Sequence, residues 1–221
     1  MGTYIAAKDA VSVIQSGSSI MVGGFGLVGS PLTLIEQLLQ VPVKDLTIIS
    51  NNLGEPGKGL GRLLLEKRVK KAIGSFFTSN PDVVKAYQAG ELEIELIPQG
   101  TLSEAIRAGG AGLGGIYVLA GVGTDLEAGK ETRVIRDKTY LLQPSLRANV
   151  ALIKAHKADR LGNLVYRKSA RNFNPNMATA ADLVIAEVDE IVEVGELSPE
   201  EIVTPHLFVD YFTLTGGSAH G

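Results

Sequence analysis

The sequence contains no cysteine among its 221 residues. That removes disulfides, thiolate metal sites and thiol nucleophiles together, and the cytoplasm is the expected compartment. Tryptophan is absent and aromatic residues make up only 5%, so a recognition surface has to be built from backbone groups, polar side chains and aliphatic walls. There is no basic excess: Lys and Arg total 21 against 24 Asp and Glu, a net charge of −3, which argues against nucleic acid as a partner. No apolar run approaches the roughly 20 residues that span a bilayer. Residues 1–20 also lack a basic start followed by an apolar signal core, so neither membrane nor export is expected. Metal-ligand spacing is missing. His156, His206 and His220 stand alone, no HExxH occurs, and no GxSxG marks a serine nucleophile.

What is present suits one large domain, taken as 1–221, with 45% apolar and 20% charged residues. Ala6, Ala7, Ala10, Val11, Val13 and Ile14 recur at helical spacing, with Thr3 as a cap and Gly17 as a stop. SIMVGGF (19–25) reads as a strand ending in glycines. Ser30-Pro31 then reads as an N-cap with proline at the first helical position, before a helix that puts Leu34, Ile35, Leu38 and Leu39 on one face. DLTIIS (45–50), VKKAIGSFF (69–77), LEIELIP (92–98), NVALIKAHKAD (149–159) and DLVIAEVDEIVEV (182–194) are further strands. Helices are expected near 81–89, 101–109 and 175–181. Apolar strands alternating with amphipathic helices predict an α/β fold, a mostly parallel open sheet flanked by helices in three layers. The stretch 109–145, opening on GGAGLGG, breaks this rhythm and reads as a loop-rich insertion or flap. No internal repeat is evident.

Gly24-Phe25-Gly26-Leu27-Val28-Gly29 matches GxGxxG between a strand and a helix, followed by Ser30. Absent side chains would let phosphates approach the backbone there, with free amides at the next helix N-terminus; a tight ligand-free turn is the alternative. A dinucleotide site should also carry Asp or Glu at the end of the second strand, roughly 20 residues on. Asn51-Asn52 follow that strand instead, and Asp45 precedes it, which demotes a nicotinamide-dependent oxidoreductase to an alternative. Glu55, in NNLGEPGKGLG (51–61), is either a nucleophile or base, or a turn residue. Gln99 either donates to an oxyanion or belongs to a cap region running from Thr101 to Glu104. Glu91, Glu93 and Glu95 alternate with apolar residues and read as a solvent-facing strand side.

Together, IMVGGFGLVGSP (20–31), DLTIISNN (45–52), GELEIELIPQGTLSEAIRAGGAGLGG (90–115), GVGT (121–124), KADRLGNLVYRKSARNFNP (157–175) and EIVEVGEL (190–197) resemble the alpha-type half of the class I coenzyme A transferases in order and spacing. The resemblance covers essentially the whole chain. One departure is Ser16 before Gly17, where the family usually has Asp or Asn.

The resemblance implies CoA transfer between an acyl-CoA and a short-chain acid such as acetoacetate, butyrate or acetate, by ping-pong covalent catalysis without a cofactor. It also implies that the nucleophilic glutamate lies in a Ser-Glu-Asn-Gly motif on a beta-type partner subunit, in a heterodimer or heterotetramer. Ser50-Asn51-Asn52 resembles the matching position, with an amide where the partner has its carboxylate. By the same resemblance, Gly24, Phe25, Gly26, Leu27, Val28, Gly29 and Ser30 would bind CoA, Asn51 and Gln99 would be supporting donors, and Lys168 and Arg171 would be either charges near the site or members of buried structural pairs. A non-catalytic sugar-phosphate-binding module of similar fold stays open beside this reading.

Overall fold

Parallel strands buried on both faces need apolar residues at every position, and the short runs of Val, Ile, Leu and Met along the chain supply them. The computed structural model describes residues 2–216; His220 lies outside them. Chain order begins β1 (Thr3–Tyr4), α1 (Ala7–Val11), β2 (Ser19–Val22), α2 (Leu32–Leu38), β3 (Leu46–Ile49) and α3 (Leu60–Leu65). It continues with β4 (Val69–Gly74), α4 (Pro81–Gln88), β5 (Glu93–Leu96), α5 (Gln99–Gly110), β6 (Gly115–Val118), β7 (Thr132–Ile135) and β8 (Lys138–Pro144). The last elements are β9 (Ala148–Asp159), β10 (Leu164–Val165), α6 (Asn174–Thr179), β11 (Ala181–Val192) and β12 (Tyr211–Leu214).

The main sheet runs β1-β12-β11-β9-β2-β3-β4-β5. Every neighbour in that path is parallel, and β10 adds an antiparallel pair to β9. From β2 the chain steps outward through β3, β4 and β5, then returns to lay β9 on the other side of β2. Strand order therefore reverses between β2 and β9, the place where open α/β sheets form a crevice beyond their carboxyl ends. Alternate strand residues divide into two cores. Ile20, Val22, Ile48, Val150 and Leu152 pack with α1 to α4, whereas Met21, Ile49, Ala151 and Ile153 pack with α5 and α6. The result is the expected three-layer α/β arrangement.

Several local expectations are corrected. Thr3 does not cap α1, because Thr3–Tyr4 pairs with β12 as a strand and Ala6 precedes the helix. Ser30 is not the cap of α2 either: the helix begins after Pro31 and has no side-chain cap from its own flank. Residues 115–144 are more ordered than a loop-rich flap, forming a second sheet of order β6-β8-β7 with both pairs antiparallel. Thr101 is buried inside α5, which starts two residues earlier at Gln99 with Pro98 before it. Ser16, the departure from the family pattern, serves its turn well. Its Oγ accepts from the Lys44 N–H at 3.1 Å, beside a Gly17 whose φ of +81° favours glycine. No helix among the described residues is long and apolar enough to cross a membrane.

Candidate active site at the carboxyl edge of the sheet

Four parallel strands, β2 to β5, release their chains at one edge, and the polar residues singled out in the sequence gather there. Beyond β2, Phe25 and Val28 exchange backbone hydrogen bonds (3.0 and 3.2 Å), making a tight hairpin with Gly26 at φ +61°. Beyond β3 the chain repeats the shape, with an isolated bridge between Glu55 and Lys58 before α3. The sequence shows no repeat, yet both units run strand, hairpin, helix. They touch, since a Cβ on Gly59 would lie 3.1 Å from Leu27. Glu55 opens the turn of the second hairpin, half-exposed and 3.8 Å from Lys58 Nζ.

Asn51 leaves the end of β3 and is buried. Its Nδ2 donates to Gln99 Oε1 at 2.7 Å and to Ser75 Oγ at 3.0 Å, and the Ser75 hydroxyl also donates to Gln99 Oε1. Ser75 follows β4, so three consecutive strands contribute one residue each. The two candidate donors are brought together, though not as equals. Asn51 spends its amino group on Gln99, whereas the Gln99 Nε2 group makes no hydrogen bond among the described residues and its side chain is exposed. Ser75 escapes a reading of the sequence because VKKAIGSFF carries no polar pattern beyond a strand end.

The first hairpin is held by residues 168–174, a segment whose sequence draws attention only to its charges. Asn172 Oδ1 accepts from the Gly24 N–H at 3.0 Å, its Nδ2 donates to the Val28 carbonyl at 3.0 Å, and Asn174 Nδ2 donates to the Gly29 carbonyl at 3.0 Å. The crevice between β2 and β9 is thus partly filled by this segment. Gly29 is a packing glycine: a Cβ there would collide with the Ala170 carbonyl and sit 2.5 Å from Asn172 Nδ2. Gly29→Val is therefore expected to destabilise the chain itself, by about 1–3 kcal/mol as overpacking does, with a urea midpoint as the readout. An unchanged midpoint would mean the hairpin and residues 168–174 separate freely. Gly26, by contrast, has nothing within 4 Å of a built Cβ.

The α2 N-terminus is not the open anion site expected from the glycine motif. Glu187, an acid buried within β11, accepts from the N–H groups of Thr33 (2.8 Å) and Leu34 (3.2 Å). A carboxylate from the chain's own fold already complements the helix dipole. Lys154 Nζ lies 3.3 Å from Glu187 and 2.5 Å from Asp189, also meeting Thr215 Oγ1, and His156 Nδ1 lies 3.2 Å from Asp189. Burial acts to raise the Asp189 pKa, but hydrogen bonds from Lys154 and His156, the Lys154 charge and the Thr215 hydroxyl outweigh it and hold the carboxyl below its ordinary value. The stability that ionised Asp189 contributes is therefore present at neutral pH and is lost as pH falls through that lowered value. A lone acid in the apolar run LVIAEV (183–188) is the signal that points to Glu187, because buried acids need partners.

A family described as Coenzyme A transferase matches residues 4–213. The chain belongs to that family. The alpha chain of the acetate CoA-transferase of Escherichia coli (strain K12) is 48% identical over 208 residues, covering 94% of this chain and 94% of its own. The corresponding chain of the 3-oxoadipate CoA-transferase of Pseudomonas putida is 49% identical over 219 residues, covering 98% and 95%. The acyl-CoA transferase apoenzyme from Escherichia coli O157:H7 shares the fold, with a TM-score of 0.87 at 22% identity over 100% of this chain and 48% of that one. Coenzyme A transfer is accordingly the enzyme class, and the similar curated chains are each named as one component of a larger enzyme. The oxidoreductase and sugar-phosphate alternatives fall away.

Proposed function

We propose that this transferase chain supplies the non-nucleophilic half of an active site completed by a beta-type subunit carrying Ser-Glu-Asn-Gly, in a heterodimer or heterotetramer. The observation that carries the reading is the Asn51–Ser75–Gln99 cluster. It sits where α/β enzymes do chemistry, and at its centre stands an amide that cannot attack a thioester. In the proposed reaction the partner's glutamate oxygen attacks the thioester carbon and expels CoA thiolate, leaving an acyl-glutamyl anhydride. The thiolate then attacks the glutamyl carbonyl and releases the acyl group as a carboxylate, with CoA left on the glutamate. The second acid reverses both steps. No cofactor takes part, because the electrons stay within acyl transfer.

Asn51 and Ser75 act by orienting Gln99: both donate to its Oε1, which turns the free Nε2–H toward solvent and toward an oxyanion. The hairpin Gly24 to Ser30 offers CoA an exposed apolar tip at Phe25 and Val28. Relatives named for acetate and for 3-oxoadipate are almost equally similar, so the acid is proposed only as a short-chain carboxylate. Single methylenes change selectivity by about 1–3 kcal/mol. The test mixes the purified chain, an acyl-CoA and a labelled acid, with and without a beta-type chain. Label should enter acyl-CoA only in the complete mixture; exchange by the isolated chain would refute the division of labour.

A further inference from the structure

We infer that the turn Arg167–Arg171 binds a phosphate group of coenzyme A, a step that rests on the CoA-transferase reading above. An anionic thioester approaching a chain of net charge −3 needs a local cation source, and the α2 N-terminus is closed to it by Glu187. Arg167, Lys168 and Arg171 put three cations within five residues, all exposed. Along the neighbouring strands each cation has an acid: Lys154 meets Glu187 and Asp189, Lys157 meets Glu190 at 2.8 Å, and Arg160 meets Glu193 at 2.6 Å. The three cations of the turn take part in no ion pair among the described residues. Nothing in the described fold neutralises them, so they are free for an external anion.

Their position is fixed and adjacent to the proposed CoA hairpin. The Ala170 carbonyl packs on Gly29, and Asn172 is bonded to Gly24 and Val28. Lys168 and Asn172 hold positive φ values of +51° and +24°, a cost that the clamp to the hairpin maintains. Beneath the turn lies a cavity of about 40 Å³ lined by Lys154, His156, Tyr166, Arg167, Ala170 and Asp189. Across the sheet edge the order is this turn over β9, the hairpin on β2, Asn51 on β3 and Gln99 beyond β5. Because the Gln99 side chain reaches back to Asn51 on β3, its amide lies about two strand spacings, roughly 10 Å, from the turn across the sheet. That order suits a ligand whose phosphates and sulfur sit at opposite ends of an arm laid across Phe25 and Val28.

The experiment compares the parent enzyme, assembled with its beta-type partner, against the double variant Lys168→Gln, Arg171→Gln. The substrates are an acyl-CoA, the matching acyl-dephospho-CoA and the matching acyl-pantetheine. The variant should raise KM for acyl-CoA about tenfold or more, as loss of charge-assisted hydrogen bonds does. KM for acyl-pantetheine, kcat, and assembly on gel filtration should stay unchanged. Added salt should raise KM for acyl-CoA more steeply in the parent than in the variant. If acyl-dephospho-CoA behaves as acyl-pantetheine, the 3′-phosphate is the group bound; if it behaves as acyl-CoA, the pyrophosphate is. Equal KM changes for acyl-CoA and acyl-pantetheine, no change for either, or loss of assembly in place of a KM effect would each overturn the inference. A parent complex that transfers no CoA would instead refute the transferase reading beneath it.

Discussion

Gln99→Ala is expected to lower turnover of the assembled enzyme by roughly 10²–10³, the loss seen when one oxyanion donor is removed, about 2.7–4 kcal/mol of barrier. Folding should survive. Gln99 opens α5 with its side chain exposed, and Pro98 before it provides no side-chain cap, so the cap alternative predicts a fall in stability that this geometry does not. The Oε1 atom is already committed to Asn51 and Ser75, which leaves only the amino group for substrate. Gln99→Glu keeps the acceptor and removes the donor, so it should be as inactive as the alanine variant. If the glutamate variant retains parent kcat, Gln99 is not an oxyanion donor. A parallel drop in activity and urea midpoint would return it to a structural role.

Glu187→Ala should cost about 3–5 kcal/mol, the range for breaking a buried ion pair from one side. The N–H groups of Thr33 and Leu34 lose their acceptor, and Lys154 Nζ loses one of three. Lys154 keeps Asp189 and Thr215, which favours the lower end, and about 3 kcal/mol in a chain of this size lowers the thermal midpoint by roughly 6–12 °C. Glu187→Gln retains an acceptor for the two backbone amides and should recover more than half of the loss. The measurement is urea unfolding, with a constant m-value showing that stability and not compactness has changed. A change below about 1 kcal/mol for the alanine variant would mean that solvent can replace the carboxylate at the helix end.

The difference between Gln99 and Glu187 marks what a single sequence exposes. Strands such as SIMV and LTII are legible because two-sided burial demands unbroken apolar runs, and the hairpin on β2 because φ values like that of Gly26 favour glycine. The β2–β9 pairing is not, since Ile20 meets Val150 through tertiary packing across most of the chain. Ser30-Pro31 carries the composition of a helix start, yet a carboxylate more than 150 residues away takes the cap. The antiparallel strands β6 and β7 have four residues each, too few for alternation to stand out among glycines. Asn51 and Gln99 emerge from family resemblance and strand-end position; their hydrogen bond, on which the proposed split between orienter and donor rests, exists only in three dimensions.

Covalent trapping tests the division of labour most directly. The assembled enzyme is incubated with acyl-CoA, the thioester is reduced with borohydride, and the reduced residue is mapped by mass spectrometry. The account predicts that the modified residue is the glutamate of the partner's Ser-Glu-Asn-Gly motif and that every carboxylate of this chain stays intact. Glu55 is the decisive position, four residues beyond Asn51 at the same sheet edge and half-exposed beside Lys58. A reduced adduct on Glu55 would contradict the account.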